Sequence, residues 1–250
     1  MRSRNRIVIV GATSGIAEHC ARLWVKKKDV DLTLVGRDFE RTERVASDLR
    51  VRSPQSDIHV LQGQFHDPMA IQALVDTINE RGPVNVVLIA HGTLTDQETC
   101  QADLSICRET LEINGISPVL YAEAFARQMT KINSGTIALI SSVAGDRGRK
   151  SNYAYGAAKG MVSLYAQGMQ HRFTGSGVKI VLLKPGPTDT AMTASLKQRG
   201  MKLAPVEAVA QSIVDAIENG KSTAYVPGKW RLIMSILRHM PASIFNRLDI

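Results

Sequence analysis

The sequence predicts an α/β protein with one domain, built on a seven-stranded, doubly wound parallel sheet with helices on both faces. Short runs rich in Val, Ile and Leu alternate with longer segments of helical period. Most of these runs are too continuously apolar to have a solvent-facing side, which is typical of parallel strands. No repeat, linker or low-complexity tract interrupts the alternation across the 250 residues, so we expect a single domain.

Seven apolar runs are the predicted strands, at residues 6–10, 31–35, 58–61, 85–89, 136–140, 178–183 and 223–226. Segments of helical period fill the intervals between them. The longest of these segments, residues 100–131, predicts one helix with a kink where Asn114 and Gly115 stand near its middle.

The net charge of +8, from 31 basic and 23 acidic residues, indicates an anionic partner such as a nucleotide phosphate, a nucleic acid or an acidic membrane surface. No nucleic-acid-binding module is recognisable, and aromatic residues make up only 5% of the chain, so we expect no nucleic-acid partner. Three cysteines without a C-x-x-C pair predict free thiols and no metal site. With no secretory signal or 18-residue apolar stretch, we expect a cytoplasmic protein.

The first predicted strand runs into a glycine-rich turn followed by a helix. This context places backbone N–H groups and the positive end of a helix dipole against a pyrophosphate, as in dinucleotide-binding Rossmann folds. The alternative is a glycine turn that only permits close packing. The predicted cofactor contacts in this turn are Gly11, Thr13, Ser14, Gly15 and Ile16.

The end of the second predicted strand indicates which dinucleotide is bound. Gly36 stands where an NAD site wants a carboxylate for the ribose hydroxyl, and Arg37 follows it. Because an arginine can pair with the 2′-phosphate of NADP, we predict NADPH, with NADH as the other possibility. Alternatively, Arg37 is a solvated loop residue and Asp38 caps the next helix.

A catalytic set follows the fifth predicted strand. Ser142 ends that strand, and Tyr155 and Lys159 follow at a spacing that puts both on one helix face. A lysine beside a tyrosine hydroxyl stabilises the phenolate, so we predict a lowered pKa for Tyr155 and proton exchange near neutral pH. Ser142 is then placed to donate a hydrogen bond to a substrate carbonyl. Taken alone, Tyr-x-x-x-Lys is common on helix surfaces.

Together these motifs resemble the short-chain dehydrogenase/reductase family over nearly the whole chain. Gly11 and Gly15 match the family's glycine motif, whereas Ala17 replaces its third glycine. The resemblance implies that Ser142, Tyr155 and Lys159 are catalytic and that Asn114 holds a water that completes a proton relay to the lysine. It also implies a nicotinamide-binding segment whose residues are Pro185, Gly186, Thr188 and Thr190.

Two positions depart from the family pattern. The family's Asn-Asn-Ala-Gly is here Ile89-Ala90-His91-Gly92, and the aspartate after the third strand is here Gln64. Both stretches line the adenosine half of the family's cofactor site, so they bear on cofactor preference rather than on the chemistry. We interpret His91 as a loop histidine near the nucleotide, because Asn114, Ser142, Tyr155 and Lys159 already supply every proton that the reaction needs.

A closer resemblance, carried by residues 89–94, 143–155 and 226–245, is to the decaprenylphosphoryl-2-keto-erythro-pentose reductases. It implies a 2-keto sugar on a polyprenyl phosphate, or a related cell-envelope sugar, as substrate. A basic loop containing Arg147, Arg149 and Lys150 is predicted at the cleft mouth, where it either pairs with a substrate phosphate or is solvated. Residues 188–204, including Met192, are the predicted substrate loop.

Residues 229–250 are predicted to form a basic amphipathic tail appended to a cofactor-binding domain of residues 1–228. Its apolar residues alternate with Lys229, Arg231, Arg238 and Arg247, a pattern typical of helices that lie on anionic lipid surfaces, so peripheral contact with the inner face of the cytoplasmic membrane is one hypothesis. The alternatives are a subunit interface in a homodimer or homotetramer, or a lid on the substrate pocket.

The main hypothesis from the sequence is an NADPH-dependent carbonyl reductase acting on a small or lipid-linked sugar. A second hypothesis keeps the mechanism but takes a β-ketoacyl, steroid or small ketone substrate. A third, from another class, is a non-catalytic nucleotide-sensing or scaffold protein. The presence of all four of Asn114, Ser142, Tyr155 and Lys159 favours an enzyme over the third hypothesis.

Overall fold

The computed structural model describes residues 4–248, so the last two residues of the predicted tail lie outside it. The strands are β1 (Asn5–Val10), β2 (Val30–Gly36), β3 (Asp57–Gln62), β4 (Val86–Ile89), β5 (Gly135–Ile140), β6 (Val178–Pro185) and β7 (Thr223–Val226). They form one parallel sheet in the order β3-β2-β1-β4-β5-β6-β7. The prediction of a seven-stranded, doubly wound α/β domain is therefore confirmed, with strand ends that differ by one or two residues.

The helices connect the strands and cover both sheet faces. They are α1 (Gly15–Lys27), α2 (Phe39–Arg52), α3 (Pro68–Glu80), α4 (Gln97–Ala102), α5 (Leu104–Leu111), α6 (Ser117–Ile132), α7 (Tyr153–Arg172), α8 (Ala194–Gln198), α9 (Val206–Glu218), α10 (Lys229–His239) and α11 (Ala242–Phe245). Within residues 4–248, no helix combines the length and apolar character needed to cross a bilayer.

Two apolar cores lie on opposite faces of the sheet. On one face, Trp24 of α1 and Ile213 of α9 are buried with Leu32 of β2. On the other, Tyr121 and Phe125 of α6 are buried with strand residues that point the other way. Successive strand residues face opposite sides, so continuously apolar strands are required to fill both cores.

The single continuous helix predicted over residues 100–131 is wrong, whereas the predicted kink coincides with an irregular turn. Asp103 breaks the helix, because its carboxylate accepts hydrogen bonds from the Ser105 and Ile106 backbone N–H groups and so begins α5 as an N-cap. The predicted kink is a π-helical turn, Glu112–Ile116, which joins α5 to α6 and contains Asn114. Such turns add a residue to a helix and occur often at functional sites.

Candidate active site

The candidate site lies at the carboxyl ends of the central strands. The strand order reverses between β1 and β4, whose connections leave in opposite directions, and ligands of doubly wound sheets bind in the crevice at that point. The glycine turn follows β1, Gly92 follows β4, Ser142 follows β5 and the predicted nicotinamide segment begins at the end of β6. The topology therefore brings the predicted site residues to one edge.

The glycine turn has the shape that a pyrophosphate requires. Gly11 has φ of +85°, a conformation that favours glycine, and an added Cβ would lie 2.5 Å from the His91 backbone nitrogen. The turn leads into α1, whose N-cap Ser14 makes no side-chain capping bond. The N–H groups of the first helical turn have no partner within the helix, so they are free to bind phosphate oxygens.

His91 supports this turn from behind. Its ring is buried between Phe65 and Tyr121, with ring centroids 4.7 and 5.7 Å away, and its Nε2 lies 3.0 Å from the Ser117 Oγ. Burial, reinforced by the charge of Lys159, holds the pKa of His91 well below its usual value. A neutral imidazole packed under the turn fits a structural role.

The adenosine end of the site is formed by the loops after β2 and β3. Arg37 is exposed, and its carbonyl accepts a hydrogen bond of 3.0 Å from the Gln62 amide. Asp38 caps α2 by accepting from the Arg41 backbone N–H at 2.9 Å, as the alternative interpretation of this loop held. Gln64 is exposed, and its backbone carbonyl accepts from the Tyr121 hydroxyl at 2.6 Å.

Ser142, Tyr155 and Lys159 meet beyond β5. The Ser142 side chain is hydrogen-bonded to the Tyr155 hydroxyl. The Lys159 ammonium lies 5.9 Å from the centroid of the Tyr155 ring and donates to the Ile140 carbonyl at 3.1 Å. Gln97 positions the helix that carries both residues, since its buried side-chain oxygen accepts from the Ala154 backbone N–H at the start of α7. Sequence reasoning missed Gln97, because nothing local connects the two segments.

Asn114 joins the same cluster from the π-helical turn. Its side chain is buried, and its Oδ1 accepts from the Thr93 backbone N–H at 2.9 Å while its Nδ2 donates to the Thr110 carbonyl at 2.9 Å. A Cβ added to Gly92 would lie 2.7 Å from the Asn114 Oδ1 and 3.4 Å from the Lys159 Nζ. Only glycine therefore lets the loop after β4 pass between the asparagine and the lysine.

Burial dominates the proton affinities at the centre of the cluster. It raises the pKa of Tyr155, against the hydrogen bond from Ser142, and lowers the pKa of Lys159 to about 8. The predicted lowering of the Tyr155 pKa is therefore wrong for the protein alone, because removing the phenol from water outweighs the stabilisation of its anion. The phenol keeps its proton at neutral pH and is suited to give it away.

The predicted nicotinamide segment crosses the mouth of the site. Pro185 is buried at the end of β6, and Thr188 donates its hydroxyl to the Gly186 carbonyl at 2.9 Å. The Thr190 methyl group faces the glycine turn, 3.1 Å from where a Gly15 Cβ would stand. The segment and the turn are therefore packed against each other.

The family model described as short chain dehydrogenase matches residues 5–200, which is most of the chain. The protein belongs to the short-chain dehydrogenase family. An uncharacterized oxidoreductase of Mycobacterium tuberculosis is 27% identical over 243 residues, covering 97% of this chain and 96% of that protein. An uncharacterized oxidoreductase of Streptomyces coelicolor is 26% identical over 246 residues, covering 97% and 95%. The chain is therefore an oxidoreductase with a nicotinamide cofactor.

Solved structures share the fold of this short-chain dehydrogenase. A short-chain type dehydrogenase/reductase from Mycobacterium ulcerans superposes with a TM-score of 0.82 at 18% identity, over 98% of both chains. A short-chain dehydrogenase from Sphingobium yanoikuyae, solved in complex with NADPH, gives 0.81 at 20% identity, over 98% of this chain and 96% of that one.

The basic loop of this dehydrogenase divides between two roles. Arg147 was predicted to face substrate, but its guanidinium donates to the carbonyls of Leu237, Arg238 and Met240 and stacks 4.2 Å from the Phe245 ring centroid. It therefore caps the last turn of α10, where carbonyls lack partners. Arg149 is partly buried, and its Nε has no hydrogen-bond partner among the described residues. Lys150 and Met192 are exposed.

The tail contributes a contact that the sequence did not reveal. A Cβ on Gly186 would lie 1.9 Å from the Trp230 Nε1, so the indole of α10 rests on the nicotinamide segment. Met234, one turn further along α10, is fully buried. The first tail helix therefore packs against the predicted nicotinamide segment.

Proposed function

We propose that the protein is an NADPH-dependent reductase of a ketone on an anionic, lipid-linked sugar, such as a 2-keto pentose on a polyprenyl phosphate. The Ser142–Tyr155 hydrogen bond, next to the buried Lys159, supports the reductase chemistry. When bound, the nicotinamide supplies a hydride. Ser142 orients the carbonyl, Tyr155 gives its proton to the carbonyl oxygen, and Lys159 stabilises the resulting phenolate. Asn114 holds the water through which the proton is replaced.

The loop after β2 supports NADPH over NADH. Arg37 is the exposed cation at the end of the strand, and Arg41 follows it in the first turn of α2. Gly36 is closed to a carboxylate, since even a Cβ there would lie 2.1 Å from the Thr42 hydroxyl. Asp38 already has its carboxylate in the cap of α2. A 2′-phosphate therefore meets positive charge here.

Arg149 supports an anionic group on the substrate. Burial lowers the pKa of its guanidinium, against the attraction of Asp146, so the side chain carries charge in a poorly solvated place. Its Nε lacks an acceptor among the described residues, and a phosphate oxygen would supply one. The residue follows the Ser142 turn and precedes the helix of Tyr155, which supports a position near the proposed substrate.

The experiment that tests the function compares two cofactors and two kinds of substrate. NADPH and NADH are titrated against a short-chain prenyl-phosphoryl 2-keto pentose and against the free 2-keto pentose. We expect kcat/KM to be at least about tenfold higher with NADPH and with the prenyl phosphate. Turnover of β-ketoacyl, steroid or small diketone probes instead would favour the second hypothesis. Tight NADPH binding, with no NADPH oxidation in the presence of any probe, would favour the third hypothesis, a nucleotide-sensing or scaffold protein.

Replacing Arg149 should selectively weaken binding of the phosphate-bearing substrate. For Arg149→Met, we expect KM for the prenyl-phosphoryl sugar to rise about tenfold or more, because a charge-assisted hydrogen bond contributes roughly 1.5–3 kcal/mol. The KM for the free keto sugar should change less than about twofold. The matched control is Arg127→Met, an exposed arginine of α6 outside the predicted substrate loop. Equal losses on both substrates would contradict a phosphate contact.

The exposed side of the tail supports contact with an anionic lipid surface. Residues 229–250 contain four basic residues and one acidic residue, Asp249. Leu232 and Ile236 share a face of α10 and are 69% and 58% exposed, so apolar side chains lie among the charges.

We also propose that the protein forms a homodimer or homotetramer. The exposed apolar residues Leu104 and Leu164 support this proposal. Light scattering can measure the oligomeric state.

The double variant Leu232→Ser/Ile236→Ser should separate membrane contact from catalysis. Both side chains point away from the body, so we expect unchanged stability and unchanged activity on the free keto sugar. Co-sedimentation with vesicles of phosphatidylglycerol should fall about tenfold or more, since each buried aliphatic side chain contributes roughly 1.5–3 kcal/mol. Deletion after Pro227 is a poorer test, because it removes Trp230 and Met234 from the fold. Unchanged sedimentation would reject the lipid surface.

A further inference from the structure

We infer that Asp146 is a positioning residue, whose carboxylate holds the Ser142 turn and the nicotinamide segment at a fixed separation. The inference rests on the proposed carbonyl reduction and concerns residues outside the cluster of Asn114, Ser142, Tyr155 and Lys159. Its centre is a buried ion pair between Asp146 and Lys184, whose side chains are 3% and 4% exposed. The second carboxylate oxygen of Asp146 accepts a hydrogen bond of 2.7 Å from the Tyr225 hydroxyl.

Asp146 controls the serine because the connection between them is short. Ser142 is the N-cap of a single 3-10 turn, Val143–Asp146, and its Oγ accepts from the Ala144 backbone N–H at 3.1 Å. The opposite side of this turn is already fixed, since a Cβ on Gly145 would lie 2.6 Å from the Lys159 carbonyl carbon. A displacement of Asp146 therefore moves the serine hydroxyl relative to Tyr155.

Lys184 and Tyr225 connect the same carboxylate to the cofactor side. Lys184 directly precedes Pro185 and Gly186, and it pairs in register with Tyr225 on the neighbouring strand β7. Its ammonium lies 5.4 Å from the centroid of the Tyr225 ring. The Asp146 carboxylate thus fixes two parts of the proposed site. One is Ser142, which holds the substrate carbonyl, and the other is the predicted nicotinamide segment.

A buried ion pair is a costly way to stabilise a fold. Removing both charges from water costs several kcal/mol per ion, and apolar residues of similar volume often serve stability equally well. The pair instead fixes positions. Asp146 accepts from Lys184 on β6 and from Tyr225 on β7, so neither side chain is free to shift. Hydride transfer is sensitive to such alignment, since misplacement of about 1 Å can reduce a rate by roughly a hundredfold.

Tyr225→Phe tests the inference with little risk to folding, because it removes one hydroxyl and leaves the ion pair intact. Tyr165→Phe is the matched control, since the Tyr165 hydroxyl also donates to a carboxylate, that of Glu123, at 2.9 Å and away from the site. With the prenyl-phosphoryl 2-keto pentose, we expect Tyr225→Phe to lower kcat about tenfold while the Kd of NADPH stays within about twofold. The primary isotope effect with 4-deuterated NADPH should increase.

Amide hydrogen exchange of the two variants separates this inference from the proposed function, because it needs no turnover. Tyr225→Phe should lose protection in residues 142–147 and 184–190 together, whereas Tyr165→Phe should not. Wild-type exchange in both segments would overturn the positioning role, as would an unchanged kcat and isotope effect in an active enzyme. Loss of exchange protection in an enzyme that reduces none of the probes would reject the proposed function and keep the coupling.

Discussion

Tyr155→Phe is expected to reduce turnover about a thousandfold while leaving NADPH binding within about twofold of wild type. In the proposed reaction the phenol is the proton donor, and general acid catalysis contributes roughly a hundredfold to ten-thousandfold to a rate. The ring itself stays, so the packing of α7 is retained. Steady-state kinetics with the prenyl-phosphoryl 2-keto pentose, together with fluorescence titration of NADPH, measures both quantities.

The same helix supplies the control for this variant. Tyr153 is 47% exposed and its hydroxyl accepts from the Gln101 amide at 3.1 Å, so Tyr153→Phe removes an equivalent group outside the catalytic cluster. We expect it to retain full activity. A Tyr155→Phe enzyme that keeps more than about a tenth of the wild-type kcat would show that another group protonates the product.

Lys159→Met is expected to abolish turnover and to stabilise the folded protein. Lys159 is 3% exposed, and its pKa falls from the usual 10.5 to about 8 because burial disfavours the charged form. Below pH 8 both folded and unfolded chains are protonated, so the full cost of burying the charge opposes folding. Between pH 8 and 10.5 only the unfolded chain holds the proton, and wild-type stability therefore rises with pH.

Methionine removes this cost with a side chain of similar length. At pH 7 we expect the free energy of unfolding of Lys159→Met to exceed that of wild type by on the order of 2 kcal/mol, after allowing for the lost bond to the Ile140 carbonyl. The difference should shrink as the pH rises from 8 towards 10. Urea denaturation at pH 7 and pH 9.5 measures it, with the exposed Lys221→Met as control. A Lys159→Met variant less stable than wild type at pH 7 would contradict a charge buried at a cost.

Local patterns were sufficient to predict the sheet and the helix face that Tyr155 and Lys159 share. Buried parallel strands must be apolar on both faces, so their positions are readable from short runs of Val, Ile and Leu. Tyr155 and Lys159 are four residues apart, and Asp38 accepts from the backbone N–H three residues ahead. In each case the interacting groups lie within one turn of each other along the chain.

Contacts between distant segments could not be predicted in this way. Arg147 meets the carbonyls of α10 some ninety residues later, so its sequence neighbourhood indicated a free cation at the cleft. The pKa of Tyr155 depends on how much of the surrounding chain covers it, which spacing alone does not contain. The break at Asp103 was missed because the helical period of the sequence continues across it, so nothing in the period distinguishes this N-cap from an interior helix position.

The π-helical turn at Asn114 sets both the rotation of α6 relative to α5 and the position of the Asn114 side-chain amide. Each residue advances an α-helix by about 100°, so the extra residue of Glu112–Ile116 rotates α6 relative to α5 by that angle. With this rotation Thr110 faces the site and Phe125 faces the core, both buried. Deleting one residue here would turn Phe125 out of the core, so the apolar packing of α6 preserves the register that presents Asn114 to Lys159.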